Sequence, residues 1–367
     1  MWCAGKNEVV WHCTVACWGD TANLSEDMTY LRNTWYVAAW ASELGANQLL
    51  ARTVLDEPLV FFRDVDGKPV ALIDRCPHRF APLSQGKILG NSVQCPYHGL
   101  QFGVDGRCTH NPHGPIPAAA KLKTYPLLER FGAIWIWMGD ATKADESALA
   151  DLSVIADAAN YTIVRGALAI GANYELITDN LMDLSHAQFL HPLLGNADSS
   201  ERAIFKMRVD GDTVWSLTDM PNEPITRLFQ MMWTSPSKIG DRRAHMRWDA
   251  PSNMLLDVGF TECGRPTNEG PTMFSAHLLT PETERSTHYF WATARDAVRD
   301  DETVSEKIRV GIDTAFRTED APIIAACQQR MGTTDLMSLK PLLLKSDAAA
   351  VSTRRVLAKR IAAEQGA

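Results

Sequence analysis

Two short loops constrain this chain more than any other feature. Cys76-Pro77-His78 is followed, after sixteen residues, by Cys95-Pro96-Tyr97-His98. Each loop supplies one thiol and one imidazole. Proline follows both cysteines and Gly99 follows His98, so both stretches are bound to turn sharply. Four such side chains form a metal-ligand set, and they meet only if a rigid scaffold presents the two loops tip to tip.

A Cys₂His₂ zinc site is one reading. Zinc sites, however, pair C-x-x-C with H-x₃₋₅-H, which the mixed C-x-H and C-x-x-H loops do not match. The loops suit a Rieske centre, in which two cysteines hold one iron of a 2Fe–2S cluster and two histidines hold the other. The surrounding texture agrees with a small scaffold of short strands. "TVLDEPLVFFR" leads through the turn residues "DVDG" to "PVALID". A second Asp-Gly turn falls at Asp105–Gly106, and "GAIWIWMGD" closes the region. The expectation is an all-β domain over residues 28–140.

The 367 residues exceed what one small domain needs, and the remainder, 141–367, is expected to form a second domain. Net charge is −8 with no basic block, which argues against nucleic acid or an anionic membrane as partner. No apolar run approaches the roughly 18 residues of a membrane span. The eight cysteines are spread too thinly for a disulfide scaffold, so a reducing cytoplasm is expected. Residues 1–27 lack the basic and apolar regions of a signal peptide and are expected to be a disordered extension or an over-called start. His12, Cys13 and Cys17 there have no second ligand pair at zinc-like spacing.

Beyond a polar, Ala-rich linker or short helix (Gly139 to Ser153), "NYELITDNLMDLSHAQFLH" has a helical pattern. "DTVWSLTDM", "MLLDVGFTE", "TMFSAHLLTPE" and "STHYFWATAR" have strand patterns. A helix is expected from Asp301 to Arg330, with Val304, Ile308, Ile312 and Phe316 as its apolar stripe. The tail "SDAAAVSTRRVLAKRIAAEQ" predicts an amphipathic helix behind a Ser-Asp cap.

The helical segment raises its own question. The thirteen residues from Asp179 to His191 carry two carboxylates and two imidazoles in an otherwise mainly hydrophobic stretch. Lone ionisable groups are costly to bury. Asp183 and His186 are three apart and share a helix face. His191 is out of phase, but a break before Pro192 brings it back. Two histidines plus one carboxylate make the facial triad of non-haem Fe(II) oxygenases. Four residues beyond Phe316 the stripe reaches Asp320. Glu319 competes for that role but is out of phase, and Pro322 disturbs the backbone nearby. Taken singly, each of these residues also suits an ordinary cap, surface or core position.

With "CPHRFAPLS", "QCPYHGLQF", "HNPHG" and "DNLMDLSHAQFLH" together, the chain resembles a Rieske non-haem iron oxygenase, large (alpha) subunit. The likeness runs from about Met28 to the end. It is nearest to the group that holds vanillate and dicamba O-demethylase oxygenases, and chloroacetanilide N-dealkylase oxygenases above all. The resemblance implies an α+β protein, with a Rieske domain followed by a helix-grip domain built on a large antiparallel sheet. It implies a homotrimer in which the cluster of one subunit feeds the iron of its neighbour. Cys76, His78, Cys95 and His98 would hold the cluster, and His186, His191 and Asp320 the mononuclear iron. Asp183 would bridge His98 of a neighbour to His186, with Asn180 close to the iron. NAD(P)H electrons would arrive through a separate reductase and a ferredoxin. O₂ would then be used to hydroxylate a carbon beside a substrate heteroatom, and the product would collapse to an aldehyde and a dealkylated phenol or amine.

The resemblance also places His277, Leu256 and Gly311 in the substrate pocket. Leu256 and Gly311 stand where dicamba-demethylating relatives carry polar or aromatic residues, which favours a neutral, bulky aromatic amide. "LFQMMWTSP" (Leu228 to Pro236) is either pocket lining or an ordinary core strand. His110 and His113 are expected to shape the cluster loop. His245 and His288 have no partner pattern, and Cys108, Cys263 and Cys327 are expected to be buried hydrophobes. No nucleotide fingerprint or nucleophile elbow is present, so NAD(P)H is not expected to bind this chain. The rival from another class is a Rieske electron carrier without oxygenase activity.

Overall fold

The computed structural model describes residues 30–366. Met28, the extension before it, and His12, Cys13 and Cys17 lie outside the described residues.

The N-terminal region is all-β. It holds β1 (Trp35–Trp40), β2 (Leu50–Val54), β3 (Glu57–Arg63), β4 (Pro69–Ile73), β5 (Lys87–Leu89), β6 (Ser92–Gln94), β7 (Gln101–Gly103), β8 (Cys108–His110), β9 (Leu127–Arg130) and β10 (Ala133–Trp137). They form three antiparallel sheets, ordered β1-β10-β9, β2-β3-β4 and β5-β6-β7-β8. Gly106 is required at its turn: its φ is +76°, and a Cβ would sit 2.4 Å from the Leu122 carbonyl oxygen. Strands β1 and β10 are buried along their whole length because both faces are covered. Tyr36, Ile134 and Ile136 face the main core, while Trp35, Trp135 and Trp137 face the second half of the molecule.

That second half begins with 3₁₀ turns rather than a helix. Asp140 and Asp145 accept hydrogen bonds from Thr142 N–H and Ser147 N–H, and this local capping competes with α-helix formation. Then come β11 (Thr162–Ile170), α1 (Tyr174–Met182), α2 (Ala187–Leu190), α3 (Ser199–Arg202), β12 (Ile204–Asp210), β13 (Thr213–Pro224), α4 (Arg227–Gln230), β14 (Ile239–Asp249), β15 (Asn253–Thr261), β16 (Thr272–Thr283) and β17 (Ser286–Arg295). Helices α5 (Glu302–Thr314), α6 (Ala321–Met331) and α7 (Ala348–Gln365) follow. The strands form one seven-stranded antiparallel sheet in the order β11-β17-β16-β15-β14-β13-β12. One face packs against the helices. The other carries Ala276, Leu278, Phe290 and Ala292 against the tryptophan face of β1 and β10. The fold is α+β, as expected. Among the described residues no helix is long and apolar enough to cross a membrane.

Three helical expectations change. The segment from Tyr174 is not one helix as far as His191: α1 stops at Met182, and Asp183 is extended at φ −122° and ψ 94°. The helix expected over 301–330 is interrupted by a π turn, Ala315–Asp320. Pro322 has no N–H to return to the Thr318 carbonyl, which loosens the ladder there. Asp347 does not cap α7: its carboxylate accepts from Leu344 N–H, one turn earlier. The buried face of α7 is made of small and apolar residues, Ala349, Thr353, Leu357 and Ile361, at four-residue spacing.

Helix α7 locks α1 in place. Arg354 donates to both carboxylate oxygens of Asp179 and to Glu175. This accounts for Asp179, the first acid of the thirteen-residue segment. Arg354→Met leaves two largely shielded carboxylates uncompensated and is expected to destabilise the protein by about 3 kcal/mol, measured by denaturant unfolding. Near the C-terminus, Glu364 accepts hydrogen bonds from the backbone N–H groups of Arg32 and Asn33.

Candidate metal centres

The two cysteine loops share one backbone design. Cys76 N–H donates to Ala81 O, and Phe80 N–H to Cys76 O. In the second loop Cys95 N–H donates to Leu100 O, and Gly99 N–H to Cys95 O. Phe80 and Gly99 hold equivalent places, with φ of +61° and +75°. Glycine suits that conformation; phenylalanine does not. Phe80 keeps its ring outside, 61% exposed, beneath the Arg75 guanidinium at 4.2 Å.

The design brings the four predicted residues together. Cys76 and Cys95 are buried, unbridged and in hydrogen-bond contact, and burial pushes the Cys76 thiol up to about 11. The rings of His78 and His98 lie edge to face, 4.5 Å between centroids, on the exposed side of the thiols. Two buried, unbridged thiols capped by two imidazoles fit a group that binds thiolates and draws their protons off. This donor set fits a Rieske cluster. His113 Nε2 donates to the His98 carbonyl at 2.9 Å, which bears out its loop-shaping role.

The second centre is assembled from the chain break at Asp183 and the π turn. Asp183 Oδ1 accepts from Ser185 N–H and starts a 3₁₀ turn, Leu184–His186. That turn runs into α2, and His191 closes α2 in extended conformation. His186 Nδ1 donates to the Asp183 carbonyl at 2.8 Å. A carbonyl only accepts, so His186 carries its proton on Nδ1 and its Nε2 is a bare lone pair. His191 Nδ1 donates to Glu319 Oε2 at 2.7 Å.

The two Nε2 atoms then face one another at 3.2 Å. Asp320 Oδ1 lies 3.5 Å from one and 3.2 Å from the other. Such a triangle puts every donor about 2 Å from a common point, which is a metal–ligand bond length. Three lone pairs aimed at one point repel unless a cation or proton sits among them. Burial lowers the pKa of His186. Burial also opposes charge on His191, yet Asp320 and Glu319 outweigh it and hold that pKa above its ordinary value. His186, His191 and Asp320 are the metal-capable group found among the described residues. The donor set fits a non-haem iron. Asn180 Nδ2 donates to Asp320 Oδ1 at 3.1 Å, which places Asn180 beside the centre.

Other expectations fare unevenly. Asp183 meets His186 through its carbonyl rather than its carboxylate. Glu319 holds the far side of His191, a role that its apparent phase hid. Both acids lie in the π turn Ala315–Asp320, where the α-helical phase that set Glu319 aside does not hold. His277 is buried, with Nδ1 against Tyr289 Oη at 2.6 Å and Nε2 without a partner. Burial pushes its pKa down to about 3, so the ring is neutral. Phe316 packs on His277, Tyr289 and Trp291. Leu256 points to the same sheet face, opposite Ser275. Gly311 on α5 is overlain by Leu193, whose Cδ2 would be 2.4 Å from an added Cβ.

"LFQMMWTSP" is not a strand. It forms α4 and a following turn, with Leu228, Phe229 and Met232 in the core. Cys108 is buried, but Cys263 and Cys327 are exposed, contrary to expectation. His245 pairs with Asp219 across the sheet at 2.8 Å, and His288 donates to the Thr53 carbonyl. Both had lacked a visible partner because the contacts are distant in sequence.

A β scaffold with paired Cys-His loops, joined to a sheet-and-helix domain with a two-histidine, one-carboxylate centre, defines an iron–sulfur-linked non-haem iron oxygenase. Comparison with known proteins agrees. Residues 34–126 match the Rieske [2Fe-2S] domain family, and residues 170–363 the vanillate O-demethylase oxygenase C-terminal domain family. The chain is 38% identical over 338 residues to the oxygenase component of chloroacetanilide N-alkylformylase from Rhizorhabdus wittichii, covering 91% of this chain and 97% of that protein. It is 37% identical over 334 residues to the dicamba O-demethylase oxygenase component of Stenotrophomonas maltophilia, covering 90% and 98%. The crystal structure of dicamba monooxygenase with non-heme iron and dicamba superposes with a TM-score of 0.80 at 35% identity, over 92% of this chain and 99% of that one. The chain belongs to the Rieske non-haem iron oxygenases of the vanillate O-demethylase type. It is an oxidoreductase, with a Rieske 2Fe–2S cluster and a mononuclear non-haem iron as its cofactors. Both of these relatives are named as oxygenase components, that is, as one part of a larger system.

Proposed function

We propose that this protein is the terminal oxygenase of an oxidative dealkylase acting on a neutral aromatic amide of the chloroacetanilide type. Cys76, His78, Cys95 and His98 hold the cluster, and His186, His191 and Asp320 hold the iron. The observation that carries this reading is the convergence of two bare Nε2 atoms and one carboxylate at 3.2–3.5 Å in a chain that also pairs two buried thiols. When bound, the two centres supply single-electron relay and O₂ activation.

The protein's own groups bind and orient. Asn180 and Glu319 steady Asp320 and His191 from outside the triangle. His277 Nε2, buried and unpaired in either tautomer, costs about 1–3 kcal/mol until a ligand meets it. With Tyr289 Oη–H donating to Nδ1, Nε2 carries the ring proton, and a substrate carbonyl is the acceptor that meets it. Leu256, and Leu193 over Gly311, offer no charge to a carboxylate, which supports the amide over the acid ethers that dicamba-type relatives take. The packed rings of Phe316, Tyr289 and Trp291 keep water from this side.

Further elements of this reading concern assembly. Phe80 and Tyr97 expose their rings beside the cluster loops, at 61% and 59%. Phe189, six residues beyond Asp183, and Leu342 and Leu344 are also exposed, at 85%, 89% and 62%. Such surfaces support a homotrimer in which one subunit's cluster meets the Asp183 face of the next. The domain division at residues 140/141, a ferredoxin with its NAD(P)H-dependent reductase as electron source, and a cytoplasmic location complete the proposal.

The test is a substrate screen with surrogate ferredoxin and reductase, scoring aldehyde release. N-alkoxyalkyl anilides are expected to be the better substrates. Release from aryl methyl ethers alone would move the assignment to O-demethylation, and a cluster-loaded protein lacking any further iron would make it a carrier.

A further inference from the structure

The two imidazoles of the mononuclear centre are held differently. His186 gives its Nδ1 proton to a neutral backbone carbonyl, that of Asp183. His191 gives its proton to a carboxylate, Glu319 Oε2, at 2.7 Å. His191 is therefore clamped between two acids that are adjacent in sequence: Asp320 Oδ1 on its Nε2 side at 3.2 Å and Glu319 on its Nδ1 side. An α-helical turn would place successive residues about 100° apart. Both acids lie in the π turn over Ala315–Asp320, where that spacing does not hold.

We propose that Glu319 is a positioning residue of the iron site. It fixes the tautomer and tilt of His191, and it supplies the second negative charge that a divalent ion needs for local neutrality. The proposal rests on the metal-centre reading above. Asp320 alone leaves a dication with one uncompensated charge. A carboxylate behind His191 offsets that charge through the ring and makes Nε2 a stronger donor than the Nε2 of His186. The two histidines thus differ in donor strength, and His191 is the anchor.

The experiment uses the full chain with its cluster intact and its mononuclear site emptied by mild chelation. Co(II) is titrated in by equilibrium dialysis and its high-spin EPR signal recorded. The oxidised cluster is silent in that measurement, and its visible absorption reports that each variant is folded. Glu319→Ala is expected to weaken Co(II) binding by about 10–100-fold and to shift the EPR signal. Glu319→Gln keeps an acceptor for Nδ1 but removes the charge, so it is expected to fall between alanine and wild type. Wild-type affinity and signal in Glu319→Ala, or in Glu319→Gln should the alanine variant not fold, overturn the proposal. Failure of the wild-type chain itself to bind Co(II) would sink the metal-centre reading instead, so the two failures are distinct.

Discussion

Asp320→Ala will leave a red-brown protein that does not turn over. Asp320 contributes one of three donors, and it is 3% exposed, so water replaces it poorly. Its loss leaves His186 and His191 as a two-nitrogen site, with Asn180 short of its acceptor. Iron content is expected to fall from about three to about two per chain, the two being those of the cluster. The cluster absorption is expected to stay unchanged, because no cluster loop touches Asp320. Turnover should drop to background. Asp320→Asn keeps the shape but loses the charge and is expected to bind iron weakly. Full activity in Asp320→Ala would remove Asp320 from the ligand set and make Glu319, the neighbouring acid on His191, the next candidate.

Asp183→Asn is expected to separate electron delivery from metal content. The asparagine side chain can still accept from Ser185 N–H, and the backbone carbonyl that fixes His186 is untouched. Both metal sites should therefore fill. What disappears is the carboxylate charge on the face proposed to meet a neighbour's cluster. Steady-state turnover is expected to fall roughly 10–100-fold, the usual loss when an outer carboxylate of a metal site is neutralised. A pre-reduced sample mixed with O₂ and substrate shows whether the lost step is delivery. A normal single-turnover rate in Asp183→Asn would count against the bridging role, and loss of iron would make Asp183 merely structural.

The four residues proposed to hold the cluster were legible because their signal is local: two short loops, each with a proline directly after its cysteine. The apolar stripe of α5 was legible for the same reason, and Val304, Ile308, Ile312 and Phe316 are all buried. Asp320 was found by extending that stripe. The extension reached a residue whose carboxylate lies against both histidines, although the backbone there is a π turn, and the phase argument that set Glu319 aside failed because Glu319 also meets His191. Glu319 meets His191 across 128 residues of sequence, which no periodicity reports. The break at Asp183 was hidden because "NLMDLSHAQFL" holds no proline or glycine to stop a helix; Asp183, extended and accepting from Ser185 N–H, starts a new turn there. Leu193 over Gly311, and His245 with Asp219, likewise depend on contacts between distant elements.

The bond from Glu364 to the backbone of Arg32 and Asn33 fastens the last helix to the first strand's approach. The start and finish of the described polypeptide are thus neighbours in space. A short tether could join them, and the ring so made could be reopened at a surface turn such as Asp66–Gly67 without cutting either cofactor-holding loop. The first strands of the N-terminal half would then leave the ribosome last, after the helices they join.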